Sequence, residues 1–372
     1  MKIGLLGFGS MGKTHTYCVE NLKFFYDPKE LKRIGADDIK ITSVCTRIYE
    51  SAKRASEQYG IEHFTTNEDD IIYNEKIDAI DVCTPNIYHY ETVKKAILAG
   101  KHVYCEKPLA VTYEQSKELA DLAKEKGVKC HMVFNNRFLL PIIRAKEIID
   151  KGTLGKILTF NACYHHSSAL NPKKTGWKQD KDICGGGVLF DLGSHVIDLL
   201  YYLCGEFDSV IGKSQIAYPV RAGVNGNEWT TNADEAFHII ATLKGGAVGT
   251  VTVSKITLGS NDDLKIEING EKGCIRFDLM NPNFLELYTV DSQGYTKVEC
   301  ANRYDYPAGV FPGIKAPIGW LRGHIGNYYS FVSSVLENKE PSISFDDGAY
   351  VQLVLEKAYE SSNEGIEKRI QR

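Results

Sequence analysis

The sequence predicts an α/β protein in two parts. Residues 1–137 read as a dinucleotide-binding Rossmann domain, a doubly wound parallel sheet. Residues 138–372 read as an α+β domain with a mostly antiparallel sheet and helices on one side. Three observations carry this. The 372 residues exceed the ~250–300 that a single hydrophobic core usually serves. Strand-like and helix-like runs alternate up to about residue 137, the pattern of a parallel sheet with crossover helices. Beyond it, strand-like runs follow one another across short turns, as antiparallel neighbours do.

Taken in order, 2–6 is a short apolar strand followed at once by "GFGSMG", and 13–25 carries Tyr17, Val19, Leu22 and Phe25 at helical spacing. The segment 24–38 reads as an insertion before a second strand at 39–46, and 51–60 reads as a helix closed by Gly60. Strands at 76–85 and 101–108 are each stopped by a proline, with a helix at 89–100 between them. A helix at 113–127 and a strand at 128–137 complete the set. The second part opens with a helix at 141–151, a strand at 156–164 and a glycine-rich segment leading into a helix around 185–203. Strands follow at 208–218, 234–243, 247–257, 263–269 and 273–278, then helices at 320–337 and 346–362.

Composition narrows the class. With 43% hydrophobic and 25% charged residues the chain reads as an ordinary globular protein. A net charge of -4 gives no reason to expect nucleic acid or an acidic membrane as partner. The ten cysteines include no C-x-x-C pair, so no metal site is expected. The opening "MKIGLLGFG" has no signal-peptide pattern, and no apolar run approaches ~18 residues, so the expected location is the cytoplasm.

Gly7, Gly9 and Gly12 form G-x-G-x-x-G between a strand and a helix. The first permits a tight turn, the second lets backbone approach a pyrophosphate, and the third lets helix and strand pack closely. Gly7, Phe8, Gly9, Ser10, Met11 and Gly12 are therefore candidates for holding a dinucleotide at a helix N-terminus. The second strand ends in Thr46 and Arg47 rather than in a carboxylate that would hold the ribose 2′-hydroxyl. Arginine suits a 2′-phosphate, so the cofactor expectation is NAD(P) with a slight lean to NADP.

Ligands of doubly wound sheets lie beyond the carboxyl ends of the strands. Two such ends are "CTPNIYH" (83–89) and "CEKP" (105–108), which make Thr84, Pro85, Asn86, His89, Glu106 and Lys107 candidates for contacting the cofactor. The Lys107 ammonium suits a substrate hydroxyl that develops alkoxide charge. If 188–203 is helical, Asp191 and His195 share a face at i and i+4. Histidine, with its unperturbed pKa of ~6.5, suits the proton of an alcohol oxidation. Asp191 would orient His195 or bind a neighbouring hydroxyl, with Lys107 meeting both across an interdomain cleft. The glycines of "GGGVLFDLGSH" (185–195) are expected to let backbone pass close to nicotinamide and substrate. Further candidates are Asn135 for cofactor, Arg137 for cofactor and substrate, and His165 and Trp177 for substrate.

The motifs "GFGSMG", "CTPNIYH", "CEKP", "NNRF" (135–138) and "GGGVLFDLGSH" follow one another in an order that resembles the glucose–fructose oxidoreductase / inositol dehydrogenase / rhizopine-catabolism (Gfo/Idh/MocA) oxidoreductases. The resemblance implies a Rossmann domain followed by an open-faced sheet domain, assembled into homodimers or homotetramers. It also implies NAD(P)-dependent oxidation or reduction of a sugar, inositol or related polyol. By the same resemblance Lys107 matches the lysine of the family's E-K-P motif, and Asp191 and His195 match its D-x-x-x-H pair. Thr46 departs from the acidic residue of many NAD-preferring members. Two rival readings share the cofactor turn: an NAD-dependent glycosidase with transient redox, and a non-catalytic dinucleotide-binding sensor.

Overall fold

The structure, a computed structural model, describes residues 1–171, 173, 176–223, 226–300 and 319–372. The chain folds into two compact units. The first is Met1–Ala110, Glu114–Phe138 and Asn302–Ala349; the second is Val111–Tyr113, Leu139–Ala301 and Tyr350–Arg372. The cut expected between 137 and 138 lies one residue before the Phe138/Leu139 division. A single boundary does not describe the units, however, because the chain re-enters the first one late. Its helix Trp320–Leu336 has too many apolar positions to stay at a surface: Ile325, Tyr328, Phe331 and Val332 are fully buried in the core that holds Ile3 and Leu5.

In the first unit, strands β1 (Lys2–Leu6), β2 (Lys40–Cys45), β3 (His63–Thr65), β4 (Ala79–Val82), β5 (His102–Cys105) and β6 (Cys130–Met132) form one parallel sheet. Their order is β3-β2-β1-β4-β5-β6. All but the edge strand β3 are buried along nearly their whole length, so β1 and β4 show no alternation of buried and exposed positions. The order reverses between β1 and β4, the switch point where such sheets hold their ligands. The strand expected at 128–137 ends at Met132, and "NNRF" is a 3₁₀ turn instead.

The segment 24–38 is a packed insertion. Asp27 caps a short helix, Pro28–Arg33, by accepting from the Lys29 N–H. Leu31, Ile34 and Ala36 enter the core, and Tyr26 stacks on Tyr329 at 3.7 Å.

The second unit is built on nine strands: β7 (Ile157–His165), β8 (Phe207–Gln215), β11 (Ala236–Leu243), β12 (Val248–Ser254), β13 (Asp263–Gly270), β14 (Gly273–Asp278), β15 (Phe284–Thr289), β16 (Thr296–Glu299) and β17 (Lys368–Arg369). A separate hairpin pairs β9 (Val220–Ala222) with β10 (Glu228–Thr230). The sheet order is β16-β15-β14-β13-β7-β12-β11-β8-β17, antiparallel except between β7 and β12. Burial alternates along the strands, so one face is covered and the other open. On the open face Ile211 stands directly opposite Ile240, both exposed.

Candidate functional site

The first unit builds the dinucleotide turn as the glycine spacing demands. Gly7 has φ +92°, and a Cβ there would lie 2.6 Å from the Cys83 carbonyl oxygen. At Gly12 a Cβ would lie 2.4 Å from the Gly7 carbonyl oxygen, so helix Ser10–Phe25 can sit on its strand only with glycine there. Gly9, at the N-cap, meets nothing within 4 Å. The backbone there is open to an approaching group, as a helix N-terminus that receives a phosphate requires. No side chain caps this helix, so the amides of Ser10 and Met11 start a turn without side-chain acceptors. The Phe8 ring packs on Tyr59 at 5.2 Å, which leaves its backbone to serve the turn.

The flanking strand ends are equally built. The Thr84 hydroxyl is buried with no hydrogen-bond partner among the described residues. Pro85 leads into a 3₁₀ turn that buries Asn86. His89 departs from expectation. Its ring is fully buried, with Nδ1 2.8 Å from the Pro108 carbonyl and Nε2 2.8 Å from the Thr84 carbonyl. It ties "CTPN" to "EKP" rather than reaching a cofactor, and burial pulls its pKa down. Arg137 is nearly buried and pairs with Asp347 at 3.4 Å, while Asn135 donates to Asn136. Thr46 donates to the Ile48 carbonyl. Arg47 is exposed, its guanidinium 6.0 Å from the Tyr88 ring. Glu106 is buried and its Oε2 accepts from the Lys107 N–H; Lys107 itself is half-buried.

In the second unit the regular helix expected over 188–203 is interrupted. Leu189–Gly193 is a π-helical turn, and the α-helix begins only at Ser194. Asp191 therefore lies in the wide turn and His195 in the first α-helical turn, a local departure that often marks functional positions. The three glycines ahead of it are accounted for by packing, a correction to the expectation that they clear a path for ligand. Gly185 has φ +78° and closes the helix Lys181–Cys184. A Cβ on Gly186 would strike the Phe190 ring at 2.7 Å, and one on Gly187 would lie 2.2 Å from the Asp234 carbonyl oxygen. The buried Asp234 carboxylate accepts from the N–H groups of Gly187 and Leu189 and from the Tyr359 hydroxyl. Burial nevertheless pushes its pKa up.

Asp191 is gripped by two lysines, with Oδ1 2.7 Å from Lys178 Nζ and Oδ2 2.9 Å from Lys255 Nζ. The two ammonium groups hold the direction of the carboxylate. The His195 ring lies edge-on to Tyr164 at 6.2 Å, and the Tyr164 hydroxyl donates to Asp262 at 2.5 Å. His166 Nε2 lies 3.0 Å from the same carboxylate. His165 points the other way: strand alternation sends it to the open face of the sheet, where Nε2 meets Thr252 at 3.2 Å. Tyr164 and His166, not His165, stand on the His195 side. Trp177 begins a 3₁₀ turn, half-buried, with the Lys178 ammonium 5.9 Å from its ring.

Residues 1–134 match the oxidoreductase family with an NAD-binding Rossmann fold, and residues 142–276 match the Gfo/Idh/MocA C-terminal domain. A levoglucosan dehydrogenase of Pseudarthrobacter phenanthrenivorans is 30% identical over 97% of this chain and 96% of its own length. The chain belongs to the Gfo/Idh/MocA oxidoreductase family.

Among other members, the glucose-6-phosphate 3-dehydrogenase of Bacillus subtilis is 27% identical over 97% of this chain and 96% of its own. A solved levoglucosan dehydrogenase in complex with NADH and L-sorbose superposes with a TM-score of 0.93. It is 29% identical and covers 100% of this chain and 99% of its own. The sequence motifs did not point to Lys178 and Lys255, whose value comes only from the long-range pairing with Asp191. Nor did they point to His15, although it stands three residues beyond Gly12 in an otherwise apolar helix face.

Proposed function

We propose that Lys107, Asp191 and His195 carry the chemistry of this Gfo/Idh/MocA enzyme. It is an NAD(P)-dependent oxidoreductase that moves a hydride between nicotinamide and a secondary hydroxyl or ketone of a sugar, inositol or related polyol. The observation that carries the reading is the open cradle at Gly9 together with the lysine-clamped Asp191 in the π turn that leads into the helix of His195. The cradle, the buried Thr84 hydroxyl without a partner and the turn forced by Gly7 and Gly12 fit a dinucleotide. Levoglucosan, glucose 6-phosphate and scyllo-inositol, named for relatives, are ring compounds with secondary hydroxyls, which supports the substrate class.

Nicotinamide supplies the hydride acceptor or donor when bound. In the oxidation direction a ring nitrogen of His195 takes the hydroxyl proton, and in reduction it returns it. Lys107 donates to the same oxygen and stabilises charge as the proton leaves. Asp191, held in place by Lys178 and Lys255, accepts from a neighbouring hydroxyl and fixes which carbon reacts. Asn86, Glu106 and Asn135 shape the cofactor side, with Arg137 and Trp177 towards substrate. Exposed Arg47 at the end of β2 supports a preference for NADP, and exposed Ile211 and Ile240 support a homodimer or homotetramer. The most apolar 18-residue window within Lys181–Cys204 is 83% buried, which supports a core helix rather than a membrane span and accords with a proposed cytoplasmic setting.

Replacing His195 by Ala or Lys107 by Ala is expected to lower turnover by roughly 10²–10⁴-fold, the range for a lost general acid/base. The assay is a panel of sugars, sugar acids and inositols with NAD and NADP, read by absorbance of reduced nicotinamide. Near-normal turnover of His195→Ala across pH would sink its assignment. A strong preference for NAD, unchanged in Arg47→Ala, would overturn the NADP reading.

A further inference from the structure

A buried cluster of charged and polar side chains lies directly beneath the dinucleotide turn. His15 is fully buried in the helix that the turn begins. Its Nδ1 is 2.8 Å from Asp81 Oδ1 and 3.1 Å from Cys83 Sγ, at the end of β4. Its Nε2 is 3.3 Å from Glu106 Oε1, at the end of β5. The contact is an ion pair, not a hydrogen bond: neither of those last two atoms has a hydrogen-bond partner among the described residues. The second oxygen of Glu106 accepts the Lys107 N–H at 3.2 Å. One imidazole thus touches the cofactor helix, the "CTPN" strand and the "EKP" strand.

We propose that His15 is a positioning residue for Lys107: it fixes the Glu106 carboxylate, which in turn fixes the backbone that presents the Lys107 side chain. The inference rests on the assignment of Lys107 to the reaction.

The charge balance agrees. Burial opposes protonation of His15, but Asp81 and Cys83 hold its pKa well above the usual value. Burial would raise the Glu106 carboxyl, yet His15 and Lys107 hold it below its usual range. His324, on the helix Trp320–Leu336, is pushed down to about 3 by burial and by the His15 charge, so the two neighbouring histidines do not compete for the proton. The remaining titratable groups around His15 are Cys18, Tyr104 and Tyr328, and each is held in its neutral form by burial. Tyr328 donates to the second Asp81 oxygen at 2.9 Å. Apolar side chains would fill this space without the desolvation that two buried carboxylates and an imidazolium require. What apolar residues cannot do is set the height and direction of Glu106.

Two conservative replacements separate positioning from mere packing. In His15→Asn the side-chain amide falls near the Nδ1 position, which keeps the Asp81 bond and loses Glu106. In His15→Gln it falls near Nε2, which keeps Glu106 and loses Asp81. With enzyme titrated by NADH fluorescence and turned over on a polyol oxidised in the panel above, His15→Asn is expected to lose about 10–100-fold in kcat, and His15→Gln only roughly threefold, the scale of misplacing a reacting group. KM for the polyol stays close to that of the parent in both. Glu106→Gln is expected to match His15→Asn, and the double variant to lose no more than either, since the two residues act as one unit.

Equal losses in the Asn and Gln variants, a larger loss in Gln, or parental kcat in Glu106→Gln would overturn the proposal. If His15→Asn does not fold, the Glu106→Gln result decides. Normal turnover in Lys107→Ala would remove the active-site assignment and this inference together. An inactive Lys107→Ala beside a fully active, folded His15→Asn would remove this inference alone.

Discussion

Two segments of this molecule are rich in glycine for different reasons. In "GFGSMG" the first and third glycines are demanded by backbone within 2.6 Å of where a side chain would begin, while the middle one faces open space. In "GGGVLFDLGSH" each of the three meets protein: Val111 and Phe190 around Gly185, Phe190 and Tyr359 around Gly186, and Asp234 around Gly187. A glycine that nothing in the fold requires is the one that points to a ligand. The triplet instead packs closely against the protein ahead of a π turn that carries Asp191.

That contrast can be broken by single substitutions. The largest effect on stability is expected for Gly187→Ala, because the new methyl would press into Asp234 backbone on a segment held by two N–H bonds to that carboxylate. A loss of about 3 kcal/mol or more is expected from overpacking that cannot relax, read as a lowered Tm. A normal Tm with weakened polyol binding would mean that the triplet is a ligand surface after all. For Gly9→Ala the expectation is reversed. Stability should stay within about 0.5 kcal/mol, as for an open surface site. NADH binding should weaken by roughly tenfold or more, since about 1.4 kcal/mol of lost pyrophosphate contact suffices. Unchanged NADH affinity would show that Gly9 is only a turn residue.

The smallest effect concerns the buried charges beneath the first turn. A histidine whose folded pKa is raised contributes stability that is complete below its unfolded value, near 6.5, and is lost as pH rises through the folded value. The Tm gap between the parent and His15→Asn should therefore be wider at about pH 6 than at about pH 10. A gap that is flat, or widens with pH, would mean that His15 is neutral in the fold.

Much of this was readable from local sequence. Gly7, Gly9 and Gly12 announced the turn because their requirement is set by backbone a few residues away. The alternation of strands and helices announced the first sheet. Strands β8 and β11 to β14 are visible in their alternating patterns, whereas β3, β9, β10 and β17 are two or three residues long and carry no period. β15 and β16 lie towards one edge of the sheet, where burial is partial and the pattern weakens. In the site, Asp191 and His195 were found, but the π turn between them was not, since it depends on Asp234 far along the chain. His165 was chosen over its neighbours because the strand's phase was open by one residue, and one residue exchanges the faces of a strand. His89 looked like a ligand because its carbonyl partners, Thr84 and Pro108, belong to the two loops it joins. The His15 cluster joins residues more than sixty positions apart, a separation no spacing rule covers.

The late return of the chain to the first unit bears on how the protein is made. Synthesis delivers the Rossmann strands first, but the helix Trp320–Leu336, with Tyr328 and Phe331 destined for that core, leaves the ribosome only after nearly the whole second unit. Until then Ile3, Leu5 and Tyr26 lack the surface that covers them, and Asp81 lacks the hydroxyl of Tyr328. The early unit must wait, partly open, while residues 139–301 emerge behind it. The vulnerable interval for aggregation, and for help from chaperones, is therefore set by the unit that is translated first and finished last.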